Sequence, residues 1–434
     1  MDWSKIPDIL GIAALACAFA SIVRRDRTPA HRLWLVGWTA IVAHFIVLTF
    51  SQMPGIIGVI ADILALSSLV AAGFCFMWAT VPTENVVRSR RLACVAFVTC
   101  SLYLALLCLD TPPPGWVLDG VAGLIAIAPL AVALTYRRYG QHALRWLTVA
   151  LHFALGAELM VLRREVPGDL SLGVDAILFV IFLGCSIYFW YSHANGTTGS
   201  IITIAGFMTW ALVFVIAPLM DHLAPHFRVE DEVWNLPKYI VAIGMLLLLL
   251  EKQIERSRYL ALHDDLTSLA NRRLFQDQLE HAMERSRRTG GRVALMQIDL
   301  DRFKDVNDTH GHHVGDLLLC HVGTMLTRRA RRSDTVARTG GDEFSLILEH
   351  FTRREDVELV ADALLQMFSQ PVVLDGVRLD VGASIGIAIF PDDAKDARTL
   401  CIEADMRMYA VKQDRRDLDR PETNPLQEQT FMVG

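Results

Sequence analysis

The first 250 residues alternate between long apolar runs and short polar segments. A helix needs about 20 largely apolar residues to cross the hydrocarbon core of a bilayer. Runs of roughly this length occur at 6–23, 33–50, 56–81, 92–109, 117–136, 146–162, 172–191, 201–220 and 236–250. The pattern therefore predicts an N-terminal all-α polytopic membrane domain of about nine helices over residues 1–250.

Arginines between the apolar runs predict the orientation of this domain. The segments after the first, third and fifth runs are rich in arginine, whereas those after the second and fourth contain no Lys or Arg. Because basic loops remain on the cytoplasmic side, the pattern places the N-terminus outside and residues 251–434 in the cytoplasm. Arg163 and Arg164 are exceptions, since they fall in a predicted outer loop.

Ionisable side chains within the predicted spans are costly in hydrocarbon, and so raise a functional hypothesis. Three interpretations remain open: the groups satisfy one another between helices, they line a ligand cavity, or the two histidines bind a metal or haem. The sequence does not identify the signal that such a sensor domain would detect. The residues are His44, Asp62, Asp119, His152, Glu158 and Asp175.

The pattern changes after residue 250. No proline or glycine interrupts residues 251–262, so a signalling helix is expected to continue out of the membrane. Beyond it, period-2 segments alternate with helical ones, which predicts an α/β domain over 263–417 with a mixed sheet flanked by helices. Residues 418–434 are predicted to be disordered. The predicted helices are 273–288, 314–329, 355–368 and 397–413, the principal strands are 292–299 and 384–390, and a hairpin is predicted to turn at Asp375 and Gly376.

Composition supports this division into a membrane half and a soluble half. Hydrophobic residues make up 53% of the chain. Of the 41 Lys and Arg residues only 15 precede residue 251, as do 15 of the 47 Asp and Glu residues, so the net charge of −6 belongs to the C-terminal part. The eight cysteines lack the spacing of a zinc site and are interpreted as apolar packing residues.

A predicted hairpin in the C-terminal part carries two adjacent carboxylates at its tip. Gly340 and Gly341 can adopt positive φ values and so form a tight turn, which presents Asp342 and Glu343. A second predicted strand ends at Asp299. Mg²⁺ is bound by one or two carboxylates together with substrate phosphates. Convergence of the two strand ends would therefore create a magnesium and phosphate site.

Six motifs in a fixed order make residues 261–417 similar to a GGDEF domain, the catalytic domain of diguanylate cyclases. The resemblance implies a fold like a nucleotide cyclase or polymerase palm, and the condensation of two GTP into cyclic di-GMP with release of pyrophosphate. Ser268, Arg415 and Asp417 depart from the usual residues, away from the proposed metal and base-reading positions. The motifs span residues 265–273, 299–304, 307–312, 340–344, 384–388 and 404–409.

The resemblance also implies residue roles. Asp299 and Asp342, with the carbonyl of Leu300, would bind Mg²⁺ or Mn²⁺, and either Asp342 or Glu343 would deprotonate the attacking 3′-hydroxyl. Asn307 and Asp316 would read guanine and favour GTP over ATP. The triphosphate ligands would be Lys304, Lys412 and Arg416, the other groups near the nucleotide Phe303, His312, Gly340 and Gly341, and the inhibitory cyclic di-GMP site Arg331 and Asp334.

One such site holds one GTP, so the resemblance implies a homodimer in the bacterial inner membrane with no nucleic-acid partner. The main alternative is a catalytically silent receptor that binds cyclic di-GMP at Arg331 and Asp334 and signals to a partner. A third interpretation makes the membrane half a transporter, although no pair of broken helices or internal repeat supports it.

Overall fold

The computed structural model describes residues 5–25, 28–80, 86–109, 111, 113–135, 142–166, 171–193, 196–226 and 229–418. The predicted tail lies almost wholly outside these residues. The chain divides into two compact units between residues 253 and 254.

The described part of the first unit is helical throughout. All of its helices except α4 are long and apolar enough to cross a membrane, which gives eight candidate spans among the described residues; the apolar part of α4, Arg91–Leu107, is shorter. The predicted all-α domain is thus confirmed. The helices are α1 (Ile6–Arg25), α2 (Pro29–Leu48), α3 (Ile56–Ala79), α4 (Val86–Leu107), α5 (Gly115–Thr135), α6 (His142–Glu165), α7 (Ser171–Ser192), α8 (Thr198–Leu223) and α9 (Asp231–Leu262).

Several ionisable groups within the spans have protein partners. Arg163 on α6 forms an ion pair with Asp119 on α5, which explains an arginine that contradicts the loop pattern. His44 Nδ1 lies 2.8 Å from the carbonyl oxygen of Ala65 on α3. The ring of His152 on α6 contacts the ring of Phe74, which is on α3 like Ala65. These positions on α3 are nine residues apart, about 13 Å along the axis, so the structure gives no support to a metal shared by the two histidines.

A buried polar cluster that the sequence did not suggest joins α1 to α9. Asn235 Nδ2 donates to Asp8 Oδ2 at 2.7 Å, and the Tyr239 hydroxyl donates to Asp8 Oδ1 at 3.2 Å. Lys238 donates to Asn235, and its Nζ lies 4.4 Å from the centroid of the Phe45 ring. Such a cluster fixes helix register, because a polar group left without a partner there would be costly.

The second unit is an α/β domain, entered through the last turns of α9. Its helices are α10 (Arg272–Thr289), α11 (Phe303–His310), α12 (His312–Arg329), α13 (Arg354–Phe368) and α14 (Ala397–Leu418). Its strands are β1 (Val293–Leu300), β2 (Thr335–Arg338), β3 (Glu343–Glu349), β4 (Val372–Leu374), β5 (Val377–Leu379) and β6 (Ala383–Phe390).

Four strands form the central sheet in the order β2-β3-β1-β6, and each of these pairings is antiparallel; a short parallel bridge joins Ala270 to Ala337. Strand β1 is buried on both faces, which explains its nearly continuous apolar sequence. Because side chains alternate, Met296 and Ile298 face the core under α12 and α13, whereas Leu295 faces α10 and α14. The odd-numbered Asp299 therefore lies on the α14 side.

Two glycines of this domain lie where the structure needs a residue without a side chain or with a positive φ. A Cβ on Gly386 of β6 would lie 2.1 Å from the carbonyl oxygen of Ala404, so only glycine allows α14 to approach this strand. Asp375 and Gly376 have φ values of 47° and 75° and form the predicted two-residue turn between β4 and β5.

Asp393 anchors the loop after β6 to two helices. Its carboxylate accepts two hydrogen bonds from Arg407, one at 2.6 Å from Arg354 and one at 2.7 Å from the backbone amide of Ile389. The hydrogen bonds from Arg407 are the main reason that the pKa of Asp393 lies well below its ordinary value. Removal of this carboxylate would leave several donors without an acceptor.

We expect Asp393→Asn to lower the local free energy of unfolding by about 2 kcal/mol, a figure that allows for the partial exposure of both arginines. Amide hydrogen exchange of β6 and α14 in the full chain measures the change. A carboxyl with a lowered pKa stabilises the fold fully above its ordinary pKa, so the difference should persist down to about pH 4 and shrink at lower pH. Asp392→Asn is the matched control, since Asp392 is more exposed and 3.5 Å from Arg292; an equal effect there would contradict the prediction.

Candidate active site

Antiparallel pairing brings two acidic residues together at one end of the sheet. Asp299 near the end of β1 pairs with Glu343 at the start of β3. Directly paired residues share a face of the sheet, so both side chains are on the α14 side. The sequence predicted that acidic residues at two strand ends would meet. They meet between the end of β1 and the start of β3, since these two strands run in opposite directions.

Asp342 completes the acidic cluster from the turn between β2 and β3. The backbone amide of Leu300 donates to the carbonyl oxygen of Asp342 at 3.3 Å, which ties the turn to β1. Contrary to expectation, neither Gly340 nor Gly341 has a positive φ. Gly340 packs against the Glu343 side chain instead, since a Cβ there would lie 2.5 Å from the carboxylate and would displace it.

Lys412 on α14 supplies a cation to this cluster. Its Nζ lies 2.5 Å from Asp299 Oδ1, and Asp299 itself is only 6% exposed. Burial raises the pKa of Asp299, with Lys412 acting in the opposite direction. Partial burial raises the pKa of Glu343, and the negative charges of Asp299 and Asp342 add to this effect. The site is thus rich in negative charge and suited to binding cations.

The donor set fits a hard divalent cation. Asp299 Oδ1 already accepts a hydrogen bond from the Lys412 ammonium at 2.5 Å. The backbone hydrogen bond from Leu300 fixes Asp342 beside it. Mg²⁺ is typically bound by one or two carboxylates together with substrate phosphates. Asp299 and Asp342 supply two carboxylates, and substrate phosphates would supply the remaining ligands. Among the described residues, no group of three or more His, Cys, Asp and Glu side chains has the arrangement of a complete metal site.

A second group of predicted residues lies on α11 and α12. The side chain of Asn307 packs against Gly315, next to Asp316, with the ring of Phe303 alongside; a Cβ on Gly315 would lie 2.0 Å from Asn307 Oδ1. The structure therefore brings the two predicted base-reading residues to one place. Lys304, His312 and Asp316 are exposed; Arg416 is on α14, but its side chain lies outside the described residues.

An ion pair that the sequence did not suggest holds the turn. Arg338 Nη1 donates to Asp264 Oδ1 at 2.9 Å, while its Nε and Nη2 donate to the carbonyl oxygen of Gly341 at 3.1 and 2.8 Å. Asp264 also accepts from the amide and hydroxyl of Thr267. Burial would raise the pKa of Asp264, but hydrogen bonds from Thr267 and Arg338 outweigh it and lower that pKa. An Asp three residues before a Thr is a turn signal that could have identified this aspartate.

Buried polar groups support the turn from the sheet side. Ser345, which is fully buried, donates to Gln297 Oε1 at 2.6 Å, and its hydroxyl lies 3.0 Å from that of Thr339. The amide of Thr339 donates to the carbonyl oxygen of Glu343 at 3.0 Å. The backbone of the turn is thereby held from both sides.

The predicted inhibitory pair lies at a separate pocket of about 450 Å³. Asp334 Oδ2 accepts from the backbone amide of Arg331 at 2.7 Å, which closes the turn before β2. Arg329 and Asp356 line the same pocket, together with the apolar Val357. The pocket thus offers two arginines and three carboxylates beside an apolar wall, so it presents both donors and acceptors to a planar ligand.

Comparison with known proteins identifies the domain. A family model described as the diguanylate cyclase GGDEF domain matches residues 261–418. The chain is 32% identical over 305 residues to the bifunctional diguanylate cyclase/cyclic di-GMP phosphodiesterase MucR of Pseudomonas aeruginosa, which covers 62% of this chain and 44% of MucR. It is 38% identical over 155 residues to the diguanylate cyclase TpbB of the same organism, which covers 36% of each protein.

Among solved structures, the GGDEF domain of TpbB (YfiN) from Pseudomonas aeruginosa matches 34% of this chain and 92% of that chain, with 36% identity and a TM-score of 0.34. The chain spans less than half of the length of both curated relatives.

Proposed function

We propose that this chain, in which residues 261–418 match the family model of the diguanylate cyclase GGDEF domain, condenses two GTP into cyclic di-GMP with release of two pyrophosphates. The observation that carries the proposal is the cluster of Asp299, Asp342 and Glu343 beside Lys412. Phosphoryl transfer depends mainly on positioning and charge neutralisation. This cluster supplies carboxylates for a cation and an ammonium for phosphate in one place.

The residues have distinct roles in the proposed reaction. Asp299 and Asp342, with the carbonyl of Leu300, hold Mg²⁺ or Mn²⁺. When bound, the metal neutralises the charge of the phosphates. Either Asp342 or Glu343 accepts the proton of the 3′-hydroxyl that attacks the α-phosphate of the other GTP. Lys412 moves from Asp299 to the triphosphate, where Lys304 and Arg416 join it, and pyrophosphate leaves.

Guanine selectivity is assigned to α11 and α12. Asp316 accepts hydrogen bonds from N1 and the exocyclic amino group of guanine, and Asn307 lies beside it. Adenine lacks this pair of donors, so it would leave acceptors without partners and be discriminated against. The Phe303 ring lies at the edge of this site, and His312 begins the helix that carries Asp316.

The product requires a second copy of the chain. Cyclic di-GMP has two equivalent halves, whereas each chain contributes one cluster, so two domains must face each other about a two-fold axis. The eight candidate spans support anchoring in a membrane. We place the chain in the bacterial inner membrane with the N-terminus outside and the catalytic domain in the cytoplasm, an orientation that requires α4 to cross as a ninth span. The membrane unit would then control how often the domains meet.

The direct test is incubation of detergent-purified full-length chain with GTP and Mg²⁺, with chromatography of the product. Cyclic di-GMP and pyrophosphate should appear with GTP, and no cyclic product should appear with ATP. A protein that binds cyclic di-GMP but forms none would instead be a receptor. The pocket at Arg331 and Asp334 favours this as the second candidate function.

Feedback by product is assigned to the same pocket. We expect Arg331→Ala to raise the cyclic di-GMP concentration needed for half-inhibition by at least about tenfold, because a charge-assisted contact to the ligand is lost. The initial rate should stay within about twofold of wild type. Arg332→Ala is the control, since Arg332 is exposed and does not line the pocket. Equal inhibition of the Arg331 variant and wild type would disprove the assignment.

A further inference from the structure

A second ion pair lies beside the one between Lys412 and Asp299. Arg415 Nη1 donates to Asp301 Oδ2 at 2.9 Å and to the carbonyl oxygen of Ala383 at 2.7 Å. Lys412 and Arg415 are three residues apart and so are neighbours on the surface of α14. Their partners are two residues apart at the end of β1. The two pairs together hold the last turns of the helix against the sheet.

The carboxylate of Asp301 is fully engaged by protein donors. Ser384 donates to its Oδ1 at 2.8 Å, while Arg415 occupies Oδ2. A Cβ on Gly382 would lie 2.8 Å from the same Oδ2, so the backbone also packs closely around the group. Asp301 therefore joins the end of β1, the start of β6 and α14.

The charge of Asp301 nevertheless reaches the acidic cluster. Asp299 and Asp301 are two residues apart, and neighbouring cations of α14 bind both carboxylates, so the two negative charges lie close together. The guanidinium of Arg415 offsets the charge of Asp301.

We propose that Arg415 is a positioning residue that balances metal binding against triphosphate binding. It neutralises Asp301, which limits how strongly the acidic cluster attracts divalent cations. It also holds the turns of α14 that carry Lys412, the residue assigned to the triphosphate. The inference rests on the proposed function, because that function gives Lys412 its ligand.

The two effects predict changes of opposite sign. Without Arg415 the site becomes more negative, so a divalent cation binds more tightly while the anionic triphosphate binds more weakly. Loss of the Asp301 contact also loosens Lys412, which weakens triphosphate binding further. A residue with only a structural role would behave differently, since local disorder would weaken both ligands together.

The experiment uses the full-length protein in detergent with Arg415→Ala and Arg415→Lys. Electron paramagnetic resonance measures Mn²⁺ binding, and calorimetry at saturating Mg²⁺ measures binding of α,β-methylene GTP, which cannot react. For Arg415→Ala we expect the Kd for Mn²⁺ to fall about threefold and the Kd for the analogue to rise about threefold to tenfold. Arg415→Lys keeps the charge, so its Kd for Mn²⁺ should stay within about twofold of wild type.

Arg285→Ala is the matched control. Arg285 likewise pairs with a carboxylate, donating two hydrogen bonds to Glu349 away from the acidic cluster. Both affinities should be unchanged in this variant. If both affinities fall in Arg415→Ala, or if neither changes, the inference is wrong.

The outcome is separable from that of the proposed function. Opposite shifts in a protein that forms no cyclic di-GMP would support the role of Arg415 and contradict the cyclase activity. If the wild type forms cyclic di-GMP but the Arg415→Ala variant lacks the opposite shifts, the cyclase activity is supported and the role of Arg415 is contradicted. If the wild type binds no analogue, both proposals fail.

Discussion

Asp342→Asn is expected to reduce cyclic di-GMP formation by about 1,000-fold or more while binding of α,β-methylene GTP changes by no more than about threefold. The substitution keeps the size of the side chain and removes its charge. Lys412 and the predicted base-reading residues are unchanged, so most of the nucleotide contacts remain. Chromatography of the product and calorimetry with the analogue measure the two quantities.

Asp375→Asn is the isosteric control for this change. Asp375 has a φ of 47° in the turn between β4 and β5, a conformation that asparagine also tolerates. Its activity should match wild type. Equal product formation by the Asp342 variant and wild type would remove the acidic cluster from the proposed reaction.

Arg338→Lys should lower kcat by about 10- to 100-fold, because the guanidinium bridges Asp264 and the carbonyl of Gly341 and a lysine cannot span both. The turn would lose its fixed position relative to the loop that follows α9. Since Arg338 holds Asp342 and Glu343 indirectly, KM for GTP should change less than kcat. Initial rates over a range of GTP concentrations measure the two constants.

A double-mutant cycle with Asp264→Asn isolates the pair. If the contact acts as a unit, the double variant should be little slower than either single variant. Arg285→Lys, which alters an exposed pair with Glu349, should retain full activity. Fully additive losses would show that Arg338 acts independently of Asp264.

Local sequence pattern predicted most of the elements. The strand β1, the helices α10, α12, α13 and α14 and the turn at Asp375 and Gly376 lie within a few residues of their predicted positions. Hydrophobic periodicity and turn residues are local properties, so they are readable without knowledge of the fold. The membrane spans follow for the same reason, since length and apolarity suffice to recognise them.

Contacts between distant segments were not predictable in the same way. Arg338 and Asp264 are 74 residues apart, and Arg415 and Asp301 are 114 apart. The sequence placed Arg415 away from the metal and base-reading positions, yet the structure joins it to the end of the strand that carries Asp299. Pairing of long polar side chains depends on the register of strands and the rotation of helices, which single-segment patterns do not specify.

The sequence by itself determined the division into an apolar helical part and an α/β part, the acidic residues at the strand ends, and the resemblance that gave them roles. Those features depend on residue type and spacing along one segment. Only the tertiary structure decided that Asp299 faces Glu343 across antiparallel strands, that the turn at Gly340 and Gly341 forms without a positive φ, and that Arg338 and Arg415 support the site. These are matters of packing between segments far apart in the chain, and distances between them arise only when the sheet and its helices assemble.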